Sequence, residues 1–268
     1  MPFSVDHDYH IHSYRSLCSE DPEQNTQRIL QYAVDNGFSN ICLTDHFWDE
    51  RCGVPDDLFY RVQNYPYLAT LTPLPQVPGV RFHFGCETDM DKNGVLGLSR
   101  ERMDAFEFII IPTTHLHMLN VTISERDWGS LARRRAIYIE RLNKVLDMDL
   151  PFQKVGIAHL TCSLAAPLSP KDHIKLFSDI SDDEYKRLFS RIAEKGCGVE
   201  LNFNDLAYDA DELEIILRPY RLAKDMGCRF YFGSDAHHPH ELDSAKKQFD
   251  RQVKLLGLEE KDRFNPFR

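Results

Sequence analysis

Histidines and carboxylates recur along this chain in one kind of place. "DYHIHS" sets His10 and His12 two apart, "TDH" gives Asp45 and His46, and "GCE" gives Glu87. "TTHLH" gives His115 and His117, "IAHL" gives His159, and "VELN" gives Glu200 and Asn202. "GSDAHHPH" then packs Asp235, His237, His238 and His240 into one short stretch. Imidazole with carboxylate is the donor set of zinc, iron and manganese sites. A lone strand-end histidine such as His159 is ordinarily a satisfied core or surface residue. The set behaves differently, because so many unpaired groups crowded together would be costly without a cation. The chemistry this points to is metal chemistry.

For these residues to meet, the elements carrying them must share a face. Apolar β-type runs are expected in "FSVDHDYHI", "NICLTDH", "VRFHFGCE", "FEFIIIPTTH", "KVGIAHL", "GVELNFN" and "CRFYFGSD". Amphipathic helices alternate with them. One covers "PEQNTQRILQYAVDNG", with Pro22 in its first turn and Gly37 at its stop. A long helix runs through "RDWGSLARRRAIYIERLNKVLD", where Arg133 to Arg135 point in different directions and read as a solvated face. "SDDEYKRLFSRIAEKG" starts on a Ser181 cap and stops at Gly196; "DADELEIILRPYRLAKDMG" is bent at Pro219; a last helix starts near His240. Residues 48–79 read as an irregular excursion. Such alternation implies a parallel sheet with helices outside, doubly wound or closed into a barrel. The candidate ligands then lie at the C-terminal strand ends, where α/β-barrel active sites are built. Side chains two apart on a strand point the same way, so His10 can work with His12, and Asp235 with His237.

Composition narrows the function classes. At 268 residues with a net charge of −10, the chain argues against a nucleic-acid or anionic-membrane binder. An anionic small substrate stays possible, because a metal ion reverses the local field. No GxGxxG or GxxxxGK[ST] loop is present. The N-terminal segment lacks signal-peptide character, no apolar run is long enough to span a bilayer, and the seven cysteines form no CxxC pair. A cytoplasmic location is expected.

Taken in order, "DYHIHS", "LTDH", "GCE", "IPTTH", "GIAHL" and "GSDAHHP" resemble the polymerase and histidinol phosphatase (PHP) superfamily. The likeness covers almost the whole chain and favours the histidinol-phosphatase branch. It implies one domain over residues 1–268, folded as a distorted (β/α)7 barrel, and a centre of two to three divalent ions of zinc, iron or manganese. By motif position, His10, His12, Glu87 and Asp235 would hold the first ion. Glu87 would bridge to a second, completed by His115 and His159, and His46 and His237 would hold a third. The remaining ligand position of the third site, usually His or Asp, is Cys18 here, with Glu20 or Asp21 as substitutes in the same loop. A thiolate there would bias the site toward softer metals.

The activity implied is metal-dependent phosphoester hydrolysis, most simply of a small phosphate monoester, with histidine biosynthesis as the branch's setting. Ions in such a site lower the pKa of water and clamp phosphoryl oxygens. Arg15 is the candidate phosphate anchor. His117, His238 and His240 are candidate proton donors to the leaving group. The basic residue expected soon after the strand-five histidine is missing from "AHLTCSLAAPLSPKD", where Lys171 is distant, and this weakens histidinol phosphate as the substrate. Two rivals stand beside this reading: an amidohydrolase-like metal hydrolase of C–N bonds, and a non-catalytic, metal-stabilised module.

Overall fold

The computed structural model describes residues 1–267. Nine short strands run in chain order: β1 (His7–Ile11), β2 (Asn40–Leu43), β3 (His46–Phe47), β4 (Arg81–Phe84), β5 (Cys86–Thr88), β6 (Ile109–Pro112), β7 (Val155–Ala158), β8 (Gly198–Leu201) and β9 (Arg229–Phe232). The helices are α1 (Thr26–Asn36), α2 (Leu58–Val62), α3 (Tyr65–Ala69), α4 (Glu125–Trp128), α5 (Leu131–Asp147), α6 (Asp172–Ser178), α7 (Asp182–Lys195), α8 (Ala210–Asp225) and α9 (Pro239–Leu256).

All strand pairs are parallel, in two sheets ordered β1-β2-β4 and β3-β5-β6-β7-β8-β9. The runs expected as strands two and three each break in the middle, into β2 and β3 and into β4 and β5. Seven strand positions result, two of them split. β1 and β9, the first and last, meet at a parallel bridge between Ile11 and Ala236. There His12 N–H donates to Ala236 O at 3.0 Å and Asp235 N–H to His10 O at 2.7 Å.

Strand period sorts the side chains. Ile109 and Ile111 join the large core between sheet and helices, whereas Phe108 and Ile110 enter an inner cluster with Tyr9, Ala158 and Tyr231. Residues Phe264 and Phe267 of the C-terminal tail cap this inner cluster. The pairing register of β1 shifts between Asp8 and Ile11. Such a bulge breaks the two-residue alternation. It lets Tyr9 join the inner aromatic layer while His10 and His12 face the carboxylates beyond it.

Several local expectations need correction. α1 starts at Thr26 on an Asn25 cap, so Pro22 lies outside it, although Gly37 closes the helix in the left-handed region. The long helix is two, broken at Gly129 and restarted on a Ser130 cap. Residues 48–79 are not wholly irregular, since α2 and α3 lie there, and α6 was not expected at all. The Ser181 cap and the Gly196 stop are present, and α8 runs through Pro219. Arg134 is no part of a solvated face: it is fully buried and donates to the carbonyls of Leu116, Trp128 and Ala165.

Candidate metal centre

At the carboxyl ends of the strands, Glu87 sits in a ring of imidazoles. His46 lies opposite it in the β3–β5 register, with Nδ1 3.0 Å from Oε2. His12 Nε2 and His10 Nε2 stand 3.4 and 3.5 Å from the same oxygen. His159 Nε2 is 3.2 Å and His115 Nε2 4.0 Å from Oε1. Asp235 Oδ1 closes the ring, 3.3 Å from His10 Nε2 and 3.1 Å from His12 Nε2.

The outer nitrogens are individually held. His10 Nδ1 donates to Glu200 Oε1 at 2.6 Å, and His115 Nδ1 to Asp89 Oδ1 at 2.7 Å. His12 Nδ1 meets Ser16 Oγ at 2.8 Å; that hydroxyl donates onward to Asp45 Oδ1, so it accepts from the ring. By the same reasoning Thr114 Oγ1, which donates to His159 O, accepts from His159 Nδ1 at 2.8 Å. His237 Nδ1 donates to Asp235 O at 2.7 Å. In the neutral form of each of these rings Nε2 is the lone-pair donor. Outer partners of this kind fix tautomer and orientation in metal-binding histidines. His10 Nε2 and His12 Nε2 face each other at 3.0 Å, an arrangement natural for two donors sharing one cation. Glu87 Oε2 and His46 Nδ1 are buried without a hydrogen-bond partner.

Charge follows geometry. Burial disfavours ionised Glu87, but His46 and His10 outweigh it and hold the carboxyl well below its usual range. Burial likewise opposes a charged His10, yet Glu200, Asp235 and Glu87 raise its pKa well above the ordinary value. His46 goes the other way, pushed down to about 3 by burial. This is a dense array of competing charges.

The local backbone is built for the cluster. His159 and Asp235 both have positive φ, at 24° and 54°, a region non-glycine residues seldom occupy outside over-determined sites. The His159 N–H donates to Glu200 Oε2 at 2.7 Å, so one buried carboxylate ties down both His10 and His159. Gly233 makes room for it, because a Cβ there would overlap the Glu200 carboxylate and His10.

Four groupings have ligand atoms within 4.8 Å of one another: His10–His12–Glu87–Asp235, Glu87–His115–His159, His12–His46–His237 and His10–His159–Glu200. The residues named from sequence thus come together, with His12 rather than Cys18 joining His46 and His237. Cys18 is exposed overall but lines the cleft above the cluster. There desolvation, then Asp235 and Glu87, push its thiol pKa up. Glu20 is exposed and Asp21 half-exposed, and neither lines that cleft. His117 and His238 do line it, whereas His240 lines a neighbouring one. Arg15 does not; its guanidinium stacks on Tyr67 at 4.7 Å and Tyr14 at 5.2 Å. Lys171 pairs with Glu212. Asp89 was missed, although it stands two residues after Glu87, the same spacing that linked His10 to His12. Arg141 was missed too: buried in α5, it donates to the carbonyls of His115, Met90 and Thr122.

The cleft is about 460 Å³, and among the described residues no lysine or arginine lines it. Phe59, Tyr60, Met118 and Leu164 supply its apolar wall.

Parallel strands inside a shell of helices, with this polar mouth, define a TIM-like α/β fold. The chain is similar in structure to histidinol phosphate phosphatase from Lactococcus lactis, solved with zinc, L-histidinol and phosphate. That match covers 97% of this chain and 99% of the other, with a TM-score of 0.61 at 15% identity. It is also similar to a probable 2-pyrone-4,6-dicarboxylic acid hydrolase from Acinetobacter baumannii, solved with citric acid. Here coverage is 98% and 97%, with a TM-score of 0.52 and 14% identity. These likenesses establish the fold. No protein-family model matches the sequence, and no curated protein sequence matches it. No helix among the described residues is long and apolar enough to cross a membrane.

Proposed function

We propose that this chain is a metal-dependent phosphoesterase of the PHP superfamily, one domain over residues 1–268, that hydrolyses a small phosphate monoester. The observation that carries the reading is the ring around Glu87. Four of its five imidazoles, His10, His12, His115 and His159, have their outer nitrogens held by Glu200, Ser16, Asp89 and Thr114 and their inner nitrogens turned toward the Glu87 carboxylate. That is a donor set for zinc, iron or manganese, and its orphaned Glu87 Oε2 and His46 Nδ1 call for a cation. His10, His12, Glu87 and Asp235 would hold one ion; Glu87, His115 and His159 a second; His12, His46 and His237 a third.

Bound ions would supply a low-pKa water and neutralise phosphoryl charge. The remaining tasks belong to side chains. Glu87 holds the ligand ring at a fixed spacing. Phe59, Met118 and Leu164 exclude bulk water from the cleft, which strengthens every electrostatic contact inside. His117 and His238, on the cleft wall, are placed to pass a proton to the leaving oxygen. With no lysine or arginine in the lining, phosphate charge must be met by ions and imidazoles.

The test is phosphate release by protein reconstituted separately with zinc, manganese and iron. The panel holds histidinol phosphate, sugar phosphates, nucleoside monophosphates and a short phosphodiester, with a dihydropyrimidine-type amide as the C–N control. Metal-dependent release from a monoester is expected. Metal-loaded protein that cleaves only the amide, or nothing, overturns the reading.

A further inference from the structure

A second cleft of about 340 Å³ adjoins the metal centre, sharing Asp235 and Glu241 with the first. Its wall comes from the segment after β8, Asn202 to Asn204, and from one face of α9. His240, Ser244, Gln248 and Gln252 recur there every four residues, a polar stripe on a helix whose Ala245 and Phe249 are core. His240 and Ser244 are exposed, but Gln248 is half-buried and Gln252 buried, and buried polar groups have to be satisfied by something.

Gln252 is only 2% exposed. Its Nε2 donates to Phe203 O at 2.7 Å, which settles the orientation of the amide and leaves Oε1 as the free acceptor. That Oε1 has no partner, and neither does the buried Oε1 of Gln248 one turn earlier. Two aligned acceptors therefore await donors.

The carboxylates nearby are each engaged through one oxygen. Glu241 accepts the N–H groups of His237 and His238 at 2.6 and 3.0 Å, and Asp235 faces His10 and His12. Among the described residues no lysine or arginine lines the cleft. A second phosphate finds no cationic side chain of that kind, and the two free acceptors on the stripe are neutral amide oxygens, which match hydroxyl donors without calling for a charge.

We infer that this cleft is the leaving-group subsite and takes a neutral, polyhydroxylated alcohol, whose O–H groups donate to Gln248 Oε1 and Gln252 Oε1. The inference rests on the phosphoesterase reading for the words "leaving group", but the binding itself does not depend on it. The substrate class is then a sugar- or polyol-type phosphate monoester.

Binding of free D-ribose and D-glucitol, with 1-butanol as the comparison, is measured by ligand-observed NMR on zinc-reconstituted protein. The same is done for Gln252→Met and Gln248→Met, alongside zinc content and melting temperature. The polyols should bind and butanol should not, and each variant should weaken polyol binding by about tenfold, the worth of one lost hydrogen bond. The kcat/KM ratio of ribose 5-phosphate to butyl phosphate should fall toward one in both variants. Equal binding of polyol and butanol, or polyol binding unchanged in the variants, overturns the subsite. If Gln252→Met fails to fold, Gln248→Met decides, since no core contact of that side chain holds Phe203. Polyol binding without phosphate release from any ester keeps the subsite and overturns the phosphoesterase reading instead.

Discussion

The same strands carry two unlike layers inside the fold. Toward their amino ends Tyr9, Phe108 and Tyr231 pack with Phe264 and Phe267 into an aromatic plug. Gly156 leaves the space Tyr231 fills. Toward their carboxyl ends Glu87, Asp235 and the imidazoles make the polar ring. The lower layer is ordered by shape, because large rings in contact bury much surface and need few polar partners. The upper layer is ordered by hydrogen bonds running outward to Glu200, Asp89, Ser16 and Thr114. One end thus specifies stability and the other invites a ligand, the division expected of barrel enzymes.

The comparison breaks most sharply at Glu87. Glu87→Gln keeps the volume but removes the charge that the ring is built around. Turnover should fall by more than about 10²-fold, beyond the 10–100-fold that outer partners of metal ligands are worth. Circular dichroism should show the fold retained. Normal turnover at full metal occupancy would contradict Glu87's central place.

The opposite experiment lies in the lower layer. Phe108 is fully buried. Phe108→Ala should cost about 3–5 kcal/mol in denaturant titration. Metal stoichiometry of the folded fraction should stay at the parental value. Loss of metal without loss of stability would show that the two layers are not separable.

His7 belongs to the lower layer's edge, its ring tilted against those of Tyr9 and Phe232, and its Nε2 accepts the Phe232 N–H at 3.2 Å. Burial pushes its pKa down from 6.5 to about 4. Folded protein therefore keeps His7 neutral where the unfolded chain protonates it. Its contribution is complete above pH 6.5 and is lost as pH falls from 6.5 to about 4, amounting to ~3 kcal/mol. Urea titrations at several pH values should show His7→Gln, which keeps an acceptor, less sensitive than the parent across that window. Equal sensitivity would remove His7 from this role.

Smaller effects sharpen the upper layer. Glu200→Gln removes the charge and keeps one acceptor oxygen, for His10 or for the His159 N–H but not both, and metal affinity should fall by about 10–100-fold. Competition with a chromogenic chelator measures it; an unchanged affinity would make Glu200 a packing residue only. The smallest change is expected at Cys18, because His12, His46 and His237 form a ligand set without it. Cys18→Ala should retain the parent's metal content by elemental analysis, and loss of one ion per chain would restore the thiolate as a ligand.

Much of the upper layer was legible in the residues themselves. Ordered motifs named every member of the Glu87 ring, because each ends a strand and strand ends converge. The two-residue period that joined His10 to His12 would also have reached Asp89 from Glu87. Other features left no such trace. Arg134 and Arg141 look like surface charge on an amphipathic helix; their burial depends on irregular loops whose carbonyls they collect. β4 parts from β5 at Gly85, where a Cβ would overlap Phe108 O, a breaker the sequence does offer, whereas β2 parts from β3 at Thr44 and Asp45, which offer none. Cys18 was placed by analogy of position and reaches the cleft wall but not the ligand set, whereas Arg15 was named for its guanidinium chemistry and stacks instead on Tyr14 and Tyr67. A glutamine stripe on α9 is invisible until its helix is known to face β8.

The junction of β1 with β9 has a kinetic meaning. The Ile11–Ala236 bridge, its neighbouring hydrogen bonds and the Phe232 N–H donated to His7 Nε2 join the chain's first strand to its last, and His10 and His12 lie on one side of this junction with Asp235 and His237 on the other. Any ion held across that junction acts as a staple between near-opposite ends of the polypeptide, closing a loop made of almost the entire chain. Loop closure of that length is slow to find and, once fastened, slow to undo. Metal loading and barrel completion would then be one event, with the empty protein breathing first along this line.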